Sequence, residues 1–190
     1  MSSFDPTELL VLADAFEERG DPMADKLRDL PAQLGVCLIE LVPQPVSYEM
    51  GCVFADRAAE HIWTADQEFD PAAENLRWRI HHLCQEGILA REKWLAGDLD
   101  DGGLANVHIR IANLLFFHGR PITMPAQLHA IIRAAYYLTR DEPVRVSPLT
   151  WVAAMAVRAT GWGNVNRDDS PERHWQVDHV LKWMWAQATN

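Results

Sequence analysis

The sequence contains few cysteines and no long apolar run. Its three cysteines, Cys37, Cys52 and Cys84, form no Cys-x-x-Cys pair, and an odd number in apolar stretches predicts buried free thiols in a reducing compartment. No stretch approaches the roughly 18 apolar residues that a membrane span requires. Residues 1–5 lack the charged and apolar regions of a signal peptide. These absences favour a cytoplasmic protein that does not enter a membrane.

Motifs of the common catalytic sites are also missing. The chain has no Gly-x-Ser-x-Gly elbow, and none of its cysteines stands in the basic, glycine-rich surroundings that would lower a thiol pKa. It has neither Gly-x-x-x-x-Gly-Lys-Ser/Thr nor Gly-x-Gly-x-x-Gly, the loops that cradle phosphates. The sequence therefore predicts no cofactor and favours a protein that is not an enzyme.

Basic residues are scarce in the first third of the chain. Residues 1–70 hold 15 acidic and 4 basic residues, whereas residues 71–190 hold 12 and 13, which gives a net charge of −10. Binding to nucleic acid or to anionic lipid depends on clustered Lys and Arg. Direct contact with either is thus disfavoured, whereas a basic protein partner is compatible. Acidity that only keeps the protein soluble is the plainer alternative.

Length and composition are those of an ordinary folded domain. A chain of 190 residues that is 48% hydrophobic and 23% charged can bury a core without disulfides or structural metal. We therefore predict a single helical domain over residues 1–190.

Helix starts are the clearest local signal. An Asp or Ser before a proline is a favoured start, because its side chain accepts hydrogen bonds from the first amides while proline lacks the donor that would stay unpaired. Five such pairs occur: Asp5-Pro6, Asp21-Pro22, Asp70-Pro71, Ser147-Pro148 and Ser170-Pro171. They predict five helix starts.

Apolar residues between these starts recur at helical spacing, and Gly20, Gly97 and Gly161 stand where left-handed helix ends belong. One helix is predicted to run through Ile62 to about Asp66. Residues 34–42 are too short and uniformly apolar for periodicity to separate helix from strand, although helix is favoured. The pattern predicts an all-α fold of eight or nine helices, in a compact bundle or an array of antiparallel hairpins.

The first 30 residues are predicted to form a helical hairpin. Within it residues 8–22, ELLVLADAFEERGDP, resemble a short motif close to LVYADWLEERGDP in the planctomycete repeat-companion domain family. The match covers about 25 of 190 residues, and Ala15-Phe16 replaces the usual Trp-Leu. The resemblance implies an N-terminal hairpin of a bacterial protein and no chemistry.

A second resemblance begins at residues 55–61, ADRAAEH. This stretch and the helices after it are similar to alanine-rich helical proteins assigned as immunity proteins of bacterial toxin systems. Trp, His and Ile often stand here in place of their alanines. The similarity implies a protein that neutralises another protein.

Histidines suggest a metal site most strongly at His82 and Glu86, which are four residues apart and share one face of a predicted helix. The chain has no His-Glu-x-x-His, and Cys84 lies off that face. Structural roles are therefore favoured over metal binding for these two residues.

Tryptophans crowd the last predicted helix. Trp175, Trp183 and Trp185 cannot all face one core at helical spacing, so the helix is either deeply buried, which is favoured, or part of an interface. Together with the acidic pair Glu17 and Glu18, they form the predicted partner-binding set.

The leading hypothesis is a non-enzymatic protein–protein interaction module, one form being an immunity or inhibitor protein with a basic partner. The alternative is an enzyme or a metal- or ligand-binding protein with a His-lined pocket between helices.

Overall fold

The computed structural model describes residues 6–30, 34–63, 71–116, 124–140, 147–161 and 170–189. These residues form nine α-helices and no strand, which confirms the all-α prediction. The helices are α1 (Pro6–Glu17), α2 (Met23–Arg28), α3 (Leu34–Glu40), α4 (Val46–Glu60), α5 (Pro71–Leu95), α6 (Asp101–Phe116), α7 (Ala126–Thr139), α8 (Pro148–Ala159) and α9 (Pro171–Thr189).

Glycines end three of these helices as predicted. Gly20, Gly97 and Gly161 have φ of 68°, 79° and 85°, in the left-handed region that other residues rarely adopt. A glycine after α1, α5 and α8 thus turns the chain back where the helical pattern stops.

Four of the five predicted helix starts are confirmed, because α1, α5, α8 and α9 begin at their prolines. The fifth helix, α2, begins one residue after Pro22. The predicted capping is mixed. The Ser170 hydroxyl accepts a hydrogen bond from the Arg173 amide at 3.0 Å, and an Asp21 carboxylate oxygen accepts one from the Met23 amide at 2.8 Å. Ser147 makes no such bond, so its predicted capping role is wrong. Asp5 and Asp70 lie outside the described residues.

Two further boundaries are clear. The ambiguous apolar stretch after Pro31 is helical, as α3. The helix that was predicted to reach Asp66 ends earlier: α4 stops at Glu60, and a 3₁₀ turn, His61–Trp63, follows it. Residues 64–66 lie outside the described residues.

The chain divides into two compact units. Unit 1 comprises Met1–Pro43 and Asn166–Asn190, and unit 2 comprises Gln44–Val165. In unit 1, α1 and α2 form the predicted hairpin, and α9 packs against α1 and α3. Leu12, Leu38 and Met184 are fully buried in unit 1. This unit joins the two ends of the chain.

Unit 2 is a bundle of α4–α8, in which α7 packs against each of the other four helices. Its buried core includes Phe54, Ile80, Ile111 and Ile131. The single-domain assignment over residues 1–190 stays a prediction.

Candidate partner-binding surface

Helix α1 carries apolar residues on two opposite sides. Leu9, Leu12, Ala13 and Phe16 recur at helical spacing and are buried in unit 1. This stripe suffices to attach α1 to its unit. Any further large apolar residue on the helix is therefore not needed for packing within the unit.

Two large apolar residues lie on the opposite, exposed side of α1. Leu10 and Val11 keep 55% and 54% of their surface exposed. At 100° per residue they share this side with Thr7, Asp14, Glu17 and Glu18, all of which are exposed. We name these six residues the α1 outer face. It combines two exposed apolar residues with three carboxylates in the turns that follow them, so a partner could bury apolar surface and meet negative charge on the same side.

Helix α2 compensates part of the acidic charge. The Arg28 guanidinium donates to an Asp14 carboxylate oxygen at 2.7 Å and also pairs with Glu17. The hydrogen bonds to Glu17 and then to Asp14 raise the pKa of Arg28 above its ordinary value. Glu17, predicted to bind a partner, is thus engaged within unit 1, whereas the predicted Glu18 is exposed beside Val11.

The three predicted tryptophans of α9 are each half-buried, so the deep burial favoured from the sequence is not what the structure has. Trp183 and Trp185 flank the buried side of α9, which is centred on Val180 and Met184. Trp175 lies on the far side, where its indole stacks on the His179 imidazole with centroids 5.4 Å apart. Burial and the Lys182 charge lower the pKa of His179.

Contacts between α9 and α1 bring one tryptophan close to the acidic helix. The Trp185 indole N–H donates to a Glu8 carboxylate oxygen at 3.3 Å. The Arg19 guanidinium donates to the backbone carbonyl oxygen of Gln187. Trp185 and the start of α1 therefore belong to one surface, whereas Trp175 is engaged with His179.

His82 and Glu86 lie in a groove between α5 and α6, with a volume of about 560 Å³, which we name the α5–α6 groove. Arg79 and Arg110 also line it, and Arg110 forms an ion pair with Glu86. Two guanidinium groups oppose the binding of a metal cation. Within the described part of the chain, no group of three or more His, Cys, Asp or Glu side chains is placed to hold a metal.

Next to this groove lies an aromatic cluster that sequence reasoning missed. Trp63 and Trp78 meet edge to face with centroids 4.7 Å apart, and they keep 43% and 48% of their surface exposed. Trp78 also contacts His81 and His82. Periodicity could not reveal this cluster, because it does not say which side of α5 meets the end of α4.

The buried cysteines carry no nucleophilic chemistry. Burial raises the pKa of the Cys84 thiol to about 12, and burial with the nearby Glu92 charge raises that of Cys52 to about 12. Both thiols are therefore protonated at neutral pH, and a protonated thiol is a poor nucleophile. Cys37 is only half-buried, so the burial predicted for all three cysteines is wrong for this one.

Comparisons with known proteins found no match to the chain among family models, curated proteins or solved structures. Among the described helices, none has the length and apolar character needed to cross a bilayer.

Proposed function

We propose that the protein is a non-enzymatic interaction module that binds a basic protein partner through the α1 outer face. The observation that carries the proposal is the exposure of Leu10 and Val11, each more than half accessible on a helix that already buries a complete apolar stripe. Burying such a pair against a partner is favourable by about 1–3 kcal/mol per side chain. Isolated exposed apolar residues are ordinary, whereas Leu10 and Val11 are an adjacent pair followed along the helix by three carboxylates.

Charge supports a basic partner. Unit 1 carries 13 acidic and 6 basic residues, for a net charge of −7, whereas unit 2 carries 14 and 11, for −3. A field of this sign accelerates the approach of a cationic surface and opposes nucleic acid and anionic lipid. An immunity or inhibitor protein that neutralises a basic toxin or enzyme is one form of this function. Its three cysteines suit a reducing cytoplasm.

The test is affinity capture of partners from the native lysate with matched variants. The double variant Leu10→Ser, Val11→Ser removes the apolar centre, and Glu18→Lys reverses one charge on its rim. Val53→Ser in α4 is the control, because Val53 is also an exposed aliphatic residue, with 41% accessibility, but lies in unit 2. All these side chains are exposed, so each variant should keep the circular dichroism and unfolding midpoint of the parent.

We expect the double variant to lose a stoichiometric basic partner by about tenfold or more in affinity. Glu18→Lys should weaken binding less, chiefly through the association rate and its salt dependence. Val53→Ser should retain the partner. Full retention by the double variant, or capture of an acidic partner, would contradict the proposal.

Ligand binding in the α5–α6 groove is the second candidate function, and it is supported by His82 and Glu86, which both line this groove of about 560 Å³. This corresponds to an enzyme or a metal- or ligand-binding protein with a His-lined pocket. The metal content of the purified protein tests its metal-binding form. Near-stoichiometric zinc or iron that disappears in His82→Ala would favour this function over the interaction module.

A further inference from the structure

A second groove in unit 2 is lined by cationic side chains, with no carboxylate among its described lining residues. It lies between α7 and α8, has a volume of about 330 Å³, and is lined by His129 and Arg133 from α7, Arg158 from α8, and Met124 and Met155. We name it the α7–α8 groove. Its size is at the lower end of the range for small-molecule sites.

The sequence of the two helices explains its charge. The 14 residues of α7 and the 12 of α8 include no Asp or Glu, although the whole chain has a net charge of −10. No acidic residue is among the described side chains that line the groove. The α5–α6 groove differs, because Glu86 there forms an ion pair with Arg110.

The side chains of Arg133 and Arg158 line the same groove. His129 and Arg133 are four residues apart on one side of α7, and Arg158 reaches the groove from the last turn of α8. Burial lowers the pKa of His129, and the positive charges of Arg133 and Arg158 lower it further. The imidazole thus experiences both cations, as a ligand in the groove would.

We propose that the α7–α8 groove binds a small organic anion. Arg133 and Arg158 hold its carboxylate or phosphate head, and Met124 and Met155 contact its apolar body. Guanidinium groups suit either head, because their planar N–H donors match a carboxylate or a phosphate in a bidentate geometry. Methionine side chains adapt to apolar groups of different shape and make favourable contacts with aromatic rings. The imidazole of His129 adds a hydrogen-bonding group to the site.

Calorimetric titration of the full chain with phenyl phosphate and with benzoate tests the proposal and distinguishes the two heads. Benzyl alcohol has the ring without the charge, and benzylamine has a charge of the opposite sign. We expect at least one anion to bind and both controls to bind at least about tenfold more weakly. Equal binding of benzyl alcohol, or no anion binding up to about 10 mM, would overturn the proposal.

Variants locate the site. Arg133→Gln and Arg158→Gln should each weaken anion binding by about tenfold or more, whereas Arg110→Gln in the other groove should change it less than about twofold. Arg133→Lys keeps the charge but loses the bidentate geometry, so its affinity should fall between parent and Arg133→Gln. Unchanged affinity in both glutamine variants would overturn the proposal.

Methionine methyl NMR provides a readout that does not depend on variants. The chain has six methionines, and of those in the described part of the chain Met124 and Met155 line this groove. Binding of the anion should shift those two methyl signals and leave the buried Met50 and Met184 in place. Shifts confined to other methionines would show binding elsewhere and overturn the assignment.

Discussion

The two units of the molecule differ in charge and in how their helices are stabilised at their ends. Unit 1 joins the two ends of the chain and carries a net charge of −7, whereas unit 2 is continuous and carries −3. In unit 1 side chains cap helix starts, through Asp21 at α2 and Ser170 at α9. In unit 2 Asp100 caps the start of α6, but the starts of α4, α7 and α8 have no side-chain cap, and a buried arginine stabilises the end of α7.

This difference shows that the net charge of a chain can conceal a local charge of the opposite sign. Most of the negative charge belongs to unit 1, on which the α1 outer face lies. It does not describe the α7–α8 groove, where two arginines meet without a carboxylate among the described lining residues. Two kinds of partner, a basic protein and a small anion, therefore match different parts of one acidic chain.

The largest expected effect concerns Arg91, which is fully buried in unit 2. Its guanidinium donates to the carbonyl oxygens of Leu138 at 2.8 Å and Arg140 at 3.0 Å, and it stacks over the rings of Tyr48 and Trp94. Arg91→Ala leaves a cavity and removes both donors from these carbonyls. We expect it to lower the free energy of unfolding by about 3 kcal/mol, measured by urea denaturation.

The matched control is Arg110→Ala, which removes an arginine of an exposed ion pair and should cost less than about 1 kcal/mol. Equal losses in the two variants would show that the buried contacts of Arg91 stabilise the fold no more than an exposed ion pair does. The single-domain prediction also implies that the unsubstituted protein unfolds in one cooperative transition.

A smaller effect is expected from the two predicted serine caps, one in each unit. The Ser170 hydroxyl is buried and accepts from the Arg173 amide, whereas Ser147 makes no capping bond. Ser170→Ala should therefore lower the free energy of unfolding by about 1 kcal/mol, and Ser147→Ala by less than about 0.5 kcal/mol. Denaturation of the two variants side by side measures this difference. A larger loss for Ser147→Ala would reverse the expected contrast between the two serines.

The sequence predicts the helices better than the surfaces. Prolines and glycines set local backbone geometry, so the start of α9 and the end of α1 at Gly20 follow from a few adjacent residues. Which side of a helix stays exposed depends on its tertiary neighbours. The exposure of Leu10 and the contact of Trp63 with Trp78 therefore could not be read from periodicity.

The candidate sites show the same limit. Spacing placed His82 and Glu86 on one side of α5, and both do line the α5–α6 groove. The arginine that pairs with Glu86 comes from α6, 24 residues later, and only the packing of the two helices brings it there. The α7–α8 groove is likewise formed by residues of two helices, and single-helix patterns do not reveal such a pair.

The smallest expected effect is a pH dependence that both units share. The pKa of His129 in unit 2 and that of His179 in unit 1 are lowered in the folded protein from an ordinary value of 6.5, mainly by burial. The unfolded chain therefore takes up these protons first, so the stability that the neutral imidazoles contribute is present above about pH 6.5 and is lost as the pH falls below it.

The charged groups that lower these two pKa values differ between the units, and NMR titration of the two imidazoles measures each effect separately. Arg158→Gln should raise the pKa of His129 and leave that of His179 unchanged, whereas Lys182→Gln should do the reverse. Because the groove cations act only on His129, an added anion that binds the α7–α8 groove should raise its pKa as well. If neither substitution changed the pKa of the neighbouring imidazole, burial alone would set both pKa values. The electrostatic contrast between the units would then not extend to their histidines.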